Sequence, residues 1–166
     1  DSYCRKVFIG AESGSNEVLE KIHKKITVKT LQNSIECFKD SRINVEMSWI
    51  IGFPDERKED IMATLELVKW IKGQLPESIH FVKAYTPYPG TELFKRAVEL
   101  GFTAPTKLED WANFTRDNCN LDYIKDKWFI NSIVYITYFA LGIKDYGKPK
   151  GFVRIPFEIV CLISKL

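Results

Sequence analysis

Ser48-Trp49-Ile50-Ile51-Gly52-Phe53-Pro54-Asp55-Glu56 is the stretch on which the fold turns. Asn44-Val45-Glu46-Met47 leads into it, and the 44–51 run, rich in β-branched, aromatic and long apolar residues, reads as a strand. Gly52 and Pro54 impose a sharp exit. Glu56 stands where it can turn back and accept bonds from the loop amides, although the same residues also serve as a plain turn. A helix is expected over 59–72, where Ile61, Leu65, Val68 and Ile71 form one apolar stripe and Gly73 is placed to end it.

The same unit repeats on either side. Upstream, 7–10 is a short apolar strand ending in Gly10. A helix over 16–24 follows, with Val18, Leu19 and Ile22 on one face. Thr27 then caps a second helix reaching residue 40 through Leu31, Ile35 and Phe38. Downstream, 79–85 is a third strand, stopped by Thr86-Pro87-Tyr88-Pro89-Gly90, and 91–100 is a helix closed by Gly101. Strand starts recur roughly every 35–40 residues, the rhythm of βα units on a parallel sheet. A partial barrel and a doubly wound sheet both have that rhythm. The three strands are expected parallel and adjacent, with helices over one face and an apolar, incompletely covered face opposite. After about residue 102 the rhythm stops. A loop with a short helix near 105–111, helices over 129–141 and 155–166, and a basic turn at 147–151 make 104–166 a helical extension following a 1–103 α/β unit.

Composition sets the bounds. The 166 residues are 45% hydrophobic and 28% charged, as in a globular domain. A net charge of +2 gives no electrostatic case for nucleic acid as a partner. No apolar run reaches the roughly 18 residues of a membrane span. Both ends read as cuts inside a longer protein. Cys4, Cys37, Cys119 and Cys161 form no CxxC or CxxxCxxC pattern, so no metal or cluster motif is assigned; Cys37 and Cys161 lie among apolar residues and read as core. A reducing, cytoplasmic setting fits this cysteine usage. His23, among lysines, reads as solvated, and His80 could face either layer. Lys24 and Lys25 read as surface charges.

Three segments stand at strand ends, where parallel α/β folds place their sites. Ile9-Gly10-Ala11-Glu12-Ser13-Gly14-Ser15 puts a carboxylate and two hydroxyls between glycines; they suit a ligand approaching the backbone, or helix capping by Ser13 or Ser15. The second segment is the opening stretch itself. Tyr85-Thr86-Pro87-Tyr88-Pro89-Gly90-Thr91 suits an apolar wall for a planar group, or a rigid loop before a helix.

Together, and with Lys24 and Thr27 downstream of the first, these segments resemble the fourth, fifth and sixth βα units of radical S-adenosylmethionine (SAM) enzymes. They are most similar to the subgroup with an N-terminal cobalamin-binding domain, which includes anaerobic magnesium-protoporphyrin monomethyl ester cyclase. The resemblance covers roughly residues 3–102. It implies the second half of a partial (β/α)6 TIM-like barrel. The CxxxCxxC loop holding a 4Fe-4S cluster would lie in the missing first half, and cobalamin in a domain before it. Glu12 and Ser13 would then meet SAM's polar groups. A GxIxGxxE pattern lies over Ser48, Ile50, Gly52 and Glu56, with Ser48 in place of its first glycine. Ile50 or Ile51 would touch adenine, and the segment from Tyr85 to Tyr88 would close that side.

The resemblance implies an Fe-S oxidoreductase or methyltransferase acting on a small molecule, fed by an electron donor such as flavodoxin or ferredoxin. The chain alone would be inactive, with no catalytic residue of its own. A tRNA methylthiotransferase is the alternative within the family; its usual basic RNA-binding domain is not what the aromatic, mixed-charge tail looks like. A non-catalytic α/β binding module is the alternative outside it.

Overall fold

The computed structural model describes residues 3–112, 114 and 122–140, with side chains through 137 in the last helix. The expected helix over 155–166, the basic turn at 147–151, and Cys119 and Cys161 lie outside them. The order is β1 (Lys6–Glu12), α1 (Asn16–Lys21), α2 (Val28–Glu36), β2 (Asn44–Ile51), α3 (Lys58–Gln74), β3 (Ile79–Ala84), α4 (Glu92–Glu99), α5 (Leu108–Ala112) and α6 (Lys127–Ala140). The strands form one sheet, β1-β2-β3, with both pairings parallel. An open parallel sheet of βα units with a C-terminal helix is the α/β architecture expected.

Strand alternation sorts the residues into two layers. Val45, Met47, Trp49 and Ile51 point to one side and join Ala11, Val82, and the apolar faces of α2, α3 and α6 in one core. Leu31 and Ile35 come from α2, Ile61, Leu65, Val68 and Ile71 from α3, and Ile130, Ile133 and Ile136 from α6. Helices packed on a single face are the arrangement of a barrel wall; a doubly wound sheet has them on both.

The opposite face carries Lys6, Phe8 and Gly10 from β1, Glu46, Ser48 and Ile50 from β2, and Ile79, Phe81 and Lys83 from β3. It is incompletely covered, as expected: Phe8 is 59% and Ile79 40% exposed. It is not apolar, which corrects the expectation. Lys6 and Glu46 form a 2.7 Å ion pair there, and Ser48 and Lys83 alternate with the aromatics. A surface of that mixture suits a polar lumen better than a dry core.

Several ends differ from expectation. Helix α3 runs past Gly73 to Gln74 and is capped by Leu75; Gly73 has open space where a side chain would be, so nothing there requires an end. Helix α2 stops at Glu36, which leaves Cys37 as its exposed C-cap and not a core residue. Thr27, Ser15 and Thr91 cap α2, α1 and α4 through their hydroxyls. His80 faces the helix layer, fully buried. Its Nδ1 accepts the Trp49 indole N–H at 3.0 Å and its Nε2 lies 2.9 Å from the Ser78 hydroxyl. Among the described residues, no helix is long and apolar enough to cross a membrane.

Candidate functional site

All three strands point their carboxyl ends to one edge, along which Glu12, the Gly52 turn and Tyr85 lie in the order β1-β2-β3. At β1 the register slips between Gly10 and Glu12, and Glu12 takes φ +67°. A glutamate in the left-handed region is uncommon. The bulge turns its side chain back along the strand: a Cβ built on Gly10 would lie 2.4 Å from Glu12 Oε1 and 3.3 Å from Lys24 Nζ. Gly10 is therefore the floor on which the Glu12 carboxylate rests, beside its register neighbour Ser48. Lys24 Nζ donates to Glu12 Oε1 at 3.2 Å; Glu12 Oε2 is buried with no hydrogen-bond partner among the described residues. Lys24 is thus half-buried and paired with Glu12, where its lysine-rich surroundings suggest an unpaired surface charge. Its partner is chosen by the bulge, which the sequence does not announce.

Behind Glu12 the chain is tied to α3. Ser13 is fully buried with its hydroxyl 3.2 Å from that of Thr64, which also accepts the Gly14 N–H at 2.8 Å. Ser15 donates to Asp60 at 2.7 Å while its oxygen caps α1. Burial pushes the Asp60 carboxyl up, but bonds from Arg57 and Ser15 outweigh this and hold it below the ordinary carboxylate range. A Cβ on Gly14 would meet the Ala63 carbonyl at 2.5 Å, so this glycine exists for the approach of β1's loop to α3 and not of a ligand. Ser13's hydroxyl is likewise committed inward.

At the β2 end, Glu56 does fold back. Its Oε2 accepts the N–H groups of Gly52 and of Phe53, the latter at 3.1 Å. Its Oε1 is buried and has no partner among the described residues. Desolvation, opposed by those two amides and helped by nearby Asp60, raises its pKa to about 7. Gly52 takes φ +78°, and a Cβ there would lie 2.8 Å from Ile124 Cδ1. Ile50 lies on the open face, whereas Ile51 is fully buried against the helices; alternation separates the two adenine candidates. The Arg96 guanidinium grips Asp55 through two bonds of 2.6 and 3.0 Å, joining this loop to α4 and holding the Asp55 carboxyl below its usual value.

At the β3 end, Tyr85 packs on Phe53, ring centroids 5.0 Å apart, and Tyr88 is 59% exposed. Tyr123, from beyond the third βα unit, reaches over this rim. Its hydroxyl lies 3.0 Å from both the Gly52 and the Tyr85 carbonyl oxygens. Motif reading missed Tyr123, Asp60 and Thr64, because each acts through a contact distant in sequence. A depression of about 260 Å³ between Phe38, Arg42, Leu75 and Pro76 sits at the opposite, amino edge, away from these groups.

Among the described residues the edge carries the Lys24 ammonium, one unpartnered oxygen each of Glu12 and Glu56, and the apolar groups of Ile50 and Tyr85, with Lys83 the register neighbour of Ile50. That set suits a ligand with polar groups at one end and a flat apolar group at the other. Among the described residues, no three His, Cys, Asp or Glu side chains gather as metal ligands, and Cys4 and Cys37 stand exposed and separate.

No protein-family model matches the chain. Among curated proteins it is 37% identical over 155 residues to an uncharacterized methyltransferase of Pyrococcus horikoshii, covering 93% of this chain and 32% of that protein. It is 31% identical over 103 residues to a tRNA-2-methylthio-N(6)-dimethylallyladenosine synthase of Finegoldia magna, covering 60% of this chain and 22% of that one. A probable threonylcarbamoyladenosine tRNA methylthiotransferase of Pyrococcus horikoshii is 33% identical over 82 residues, 48% of this chain and 18% of the relative. The relatives are thus a methyltransferase and tRNA methylthiotransferases, enzymes of which this chain spans between about a fifth and a third.

Proposed function

We propose that this chain is the second half of the barrel of a radical SAM methyltransferase or oxidoreductase, and that its carboxyl edge binds SAM. Glu12 carries this reading. It is a non-glycine residue held at positive φ, with one oxygen on Lys24 and the other buried without a partner among the described residues. Strain of this kind costs on the order of 1–3 kcal/mol and clusters at ligand sites. A helix-capping role explains neither feature, since Ser15 caps α1. A ligand hydroxyl or ammonium would satisfy the stranded oxygen and remove its desolvation cost.

In this reading Glu12 and Lys24 hold the polar groups of SAM, with Ser48 beside them. Ile50 and Tyr85 offer the apolar surface for adenine. Ser13 backs Glu12 through Thr64, Ile51 and Gly52 support the apolar surface from behind, and Tyr88 lies at its outer rim. SAM, next to a reduced 4Fe-4S cluster, supplies a 5′-deoxyadenosyl radical or a methyl group; the residues here bind, orient and exclude water. The cluster's thiolates belong to chain outside this one. Cobalamin in a preceding domain, a flavodoxin- or ferredoxin-like electron donor and a small-molecule substrate complete the proposal.

A tRNA methylthiotransferase is the second reading, favoured by the names of several relatives. The matches differ in extent. A match over 155 residues must take in much of 104–166, and it is to a methyltransferase; the methylthiotransferase matches are no longer than the βα units themselves. The test is anaerobic reconstitution of the full-length protein with iron and sulfide, followed by dithionite as reductant and SAM. Formation of 5′-deoxyadenosine or of a methylated product supports the reading. A cluster-free protein that leaves SAM intact overturns it.

A further inference from the structure

The segment after the third βα unit is built into the candidate site. One Tyr123 hydroxyl lies 3.0 Å from the carbonyl oxygens that end two different strands, Gly52 after β2 and Tyr85 after β3. A hydroxyl has a single proton, so both acceptors share it, and both strand ends are referred to one atom. The ring is held in turn: it stands edge-on to Tyr85 at 6.5 Å and to Phe102 at 6.1 Å, and is 5% exposed. The next residue, Ile124, fills the space that a side chain on Gly52 would need, its Cδ1 2.8 Å from that position. Residue 52 is therefore glycine because of two independent demands, its φ of +78° and the seat of Ile124. Helix α6 then anchors the segment through Phe129, Ile130 and Ile133 in the main core.

From this geometry we infer that Tyr123 is a positioning residue for the SAM site. As a strap, it fixes the spacing of the β2 and β3 ends and so the width of the adenine-side rim formed by Ile50, Gly52 and Tyr85. The inference rests on the SAM reading above and adds the residue that sets its apolar half. Tyr123 lies on the far side of the rim from the Glu12–Lys24 pair, so its influence is on the nucleoside end of the ligand and not on the amino-acid end.

The experiment compares wild-type and Tyr123→Phe full-length protein after cluster reconstitution, with SAM and free methionine as separate probes and thermal melts alongside. Tyr123→Phe keeps the ring and its packing and removes one hydrogen bond. The expected result is a roughly 3- to 10-fold loss of SAM affinity, the scale of one such bond, with methionine affinity unchanged. Amide hydrogen exchange at Phe53 and Thr86 should rise in the same variant, a readout that needs no ligand. Unchanged SAM affinity, or an equal loss for SAM and methionine, overturns the inference and leaves the SAM reading standing. Wild-type protein that binds methionine but not SAM overturns both.

Discussion

The ammonium of Lys24 and the carboxylate of Glu12 meet at 3.2 Å directly above Gly10, on a floor that only a residue without a side chain provides. Gly10 and Gly14 flank the same turn yet have different reasons to be glycine, and substitution separates them. At Gly10 a methyl group meets the far ends of two flexible side chains. At Gly14 it meets the backbone of α3. Gly10→Ala should cost less than about 1 kcal/mol of stability and displace the carboxylate, lowering SAM affinity. Gly14→Ala should cost about 1–3 kcal/mol through forced separation of β1's loop from α3. Urea unfolding of both variants checks the contrast; equal costs would mean that the carboxylate over Gly10 is rigidly fixed.

Glu56 predicts a loss of stability between about pH 4.5 and 7. Its pKa is about 7 in the folded chain against 4.5 without burial, so the folded state binds more protons between those values. Stability is full below pH 4.5 and falls as pH rises through 7, by up to about 3 kcal/mol. Glu56→Gln retains an oxygen for the Gly52 and Phe53 amides and cannot ionise. Because the lowered pKa of His80 tilts stability the other way, the variant's urea midpoint should rise between pH 5 and 8, while the wild type's stays nearly level. Parallel curves would place the proton elsewhere.

His80 gives the opposite slope. Burial, with nearby Lys72, lowers its pKa to about 4 from 6.5. The unfolded chain therefore binds more protons in that interval, and stability held above pH 6.5 is lost as pH falls toward 4, again by up to about 3 kcal/mol. The indole N–H of Trp49 fixes Nδ1 as acceptor, so Nε2 carries the proton toward Ser78, whose hydroxyl donates to the Leu75 carbonyl at 2.6 Å. Trp49→Phe strands Nδ1 and should cost at least about 1–3 kcal/mol at neutral pH. Nitrogen chemical shifts of the His80 ring check the tautomer: a protonated Nδ1 would contradict it.

Much of this was legible because it is local. Alternation in Val45, Met47, Trp49 and Ile51 gives the strand and its buried face, and the turn at Gly52 and Pro54 brings Glu56 within reach of the amides it accepts. The same alternation held the correction to the open face: Glu46, Ser48 and Lys83 sit in the sequence at the outward positions, and reading those positions singly reveals a mixed surface. What was not legible depends on contacts across the chain. Lys24 joins the site through a bulge at Gly10, Asp60 and Thr64 through the docking of α3, and Tyr123 through the return of the chain over two strand ends. No local pattern marks Asp60, Thr64 or Tyr123, and for Lys24 the motif gives the position but not the partner.

Glu12→Gln in the reconstituted full-length protein decides whether Glu12 binds SAM, as proposed. The substitution keeps size and backbone and removes the charge. If Glu12 accepts a bond from SAM, the loss should be about 1.5–3 kcal/mol, a weakening of roughly 10- to 150-fold by equilibrium titration, with the melting temperature little changed. Unchanged SAM affinity with a lowered melting temperature would rule out SAM binding by Glu12 and leave it a structural partner of Lys24.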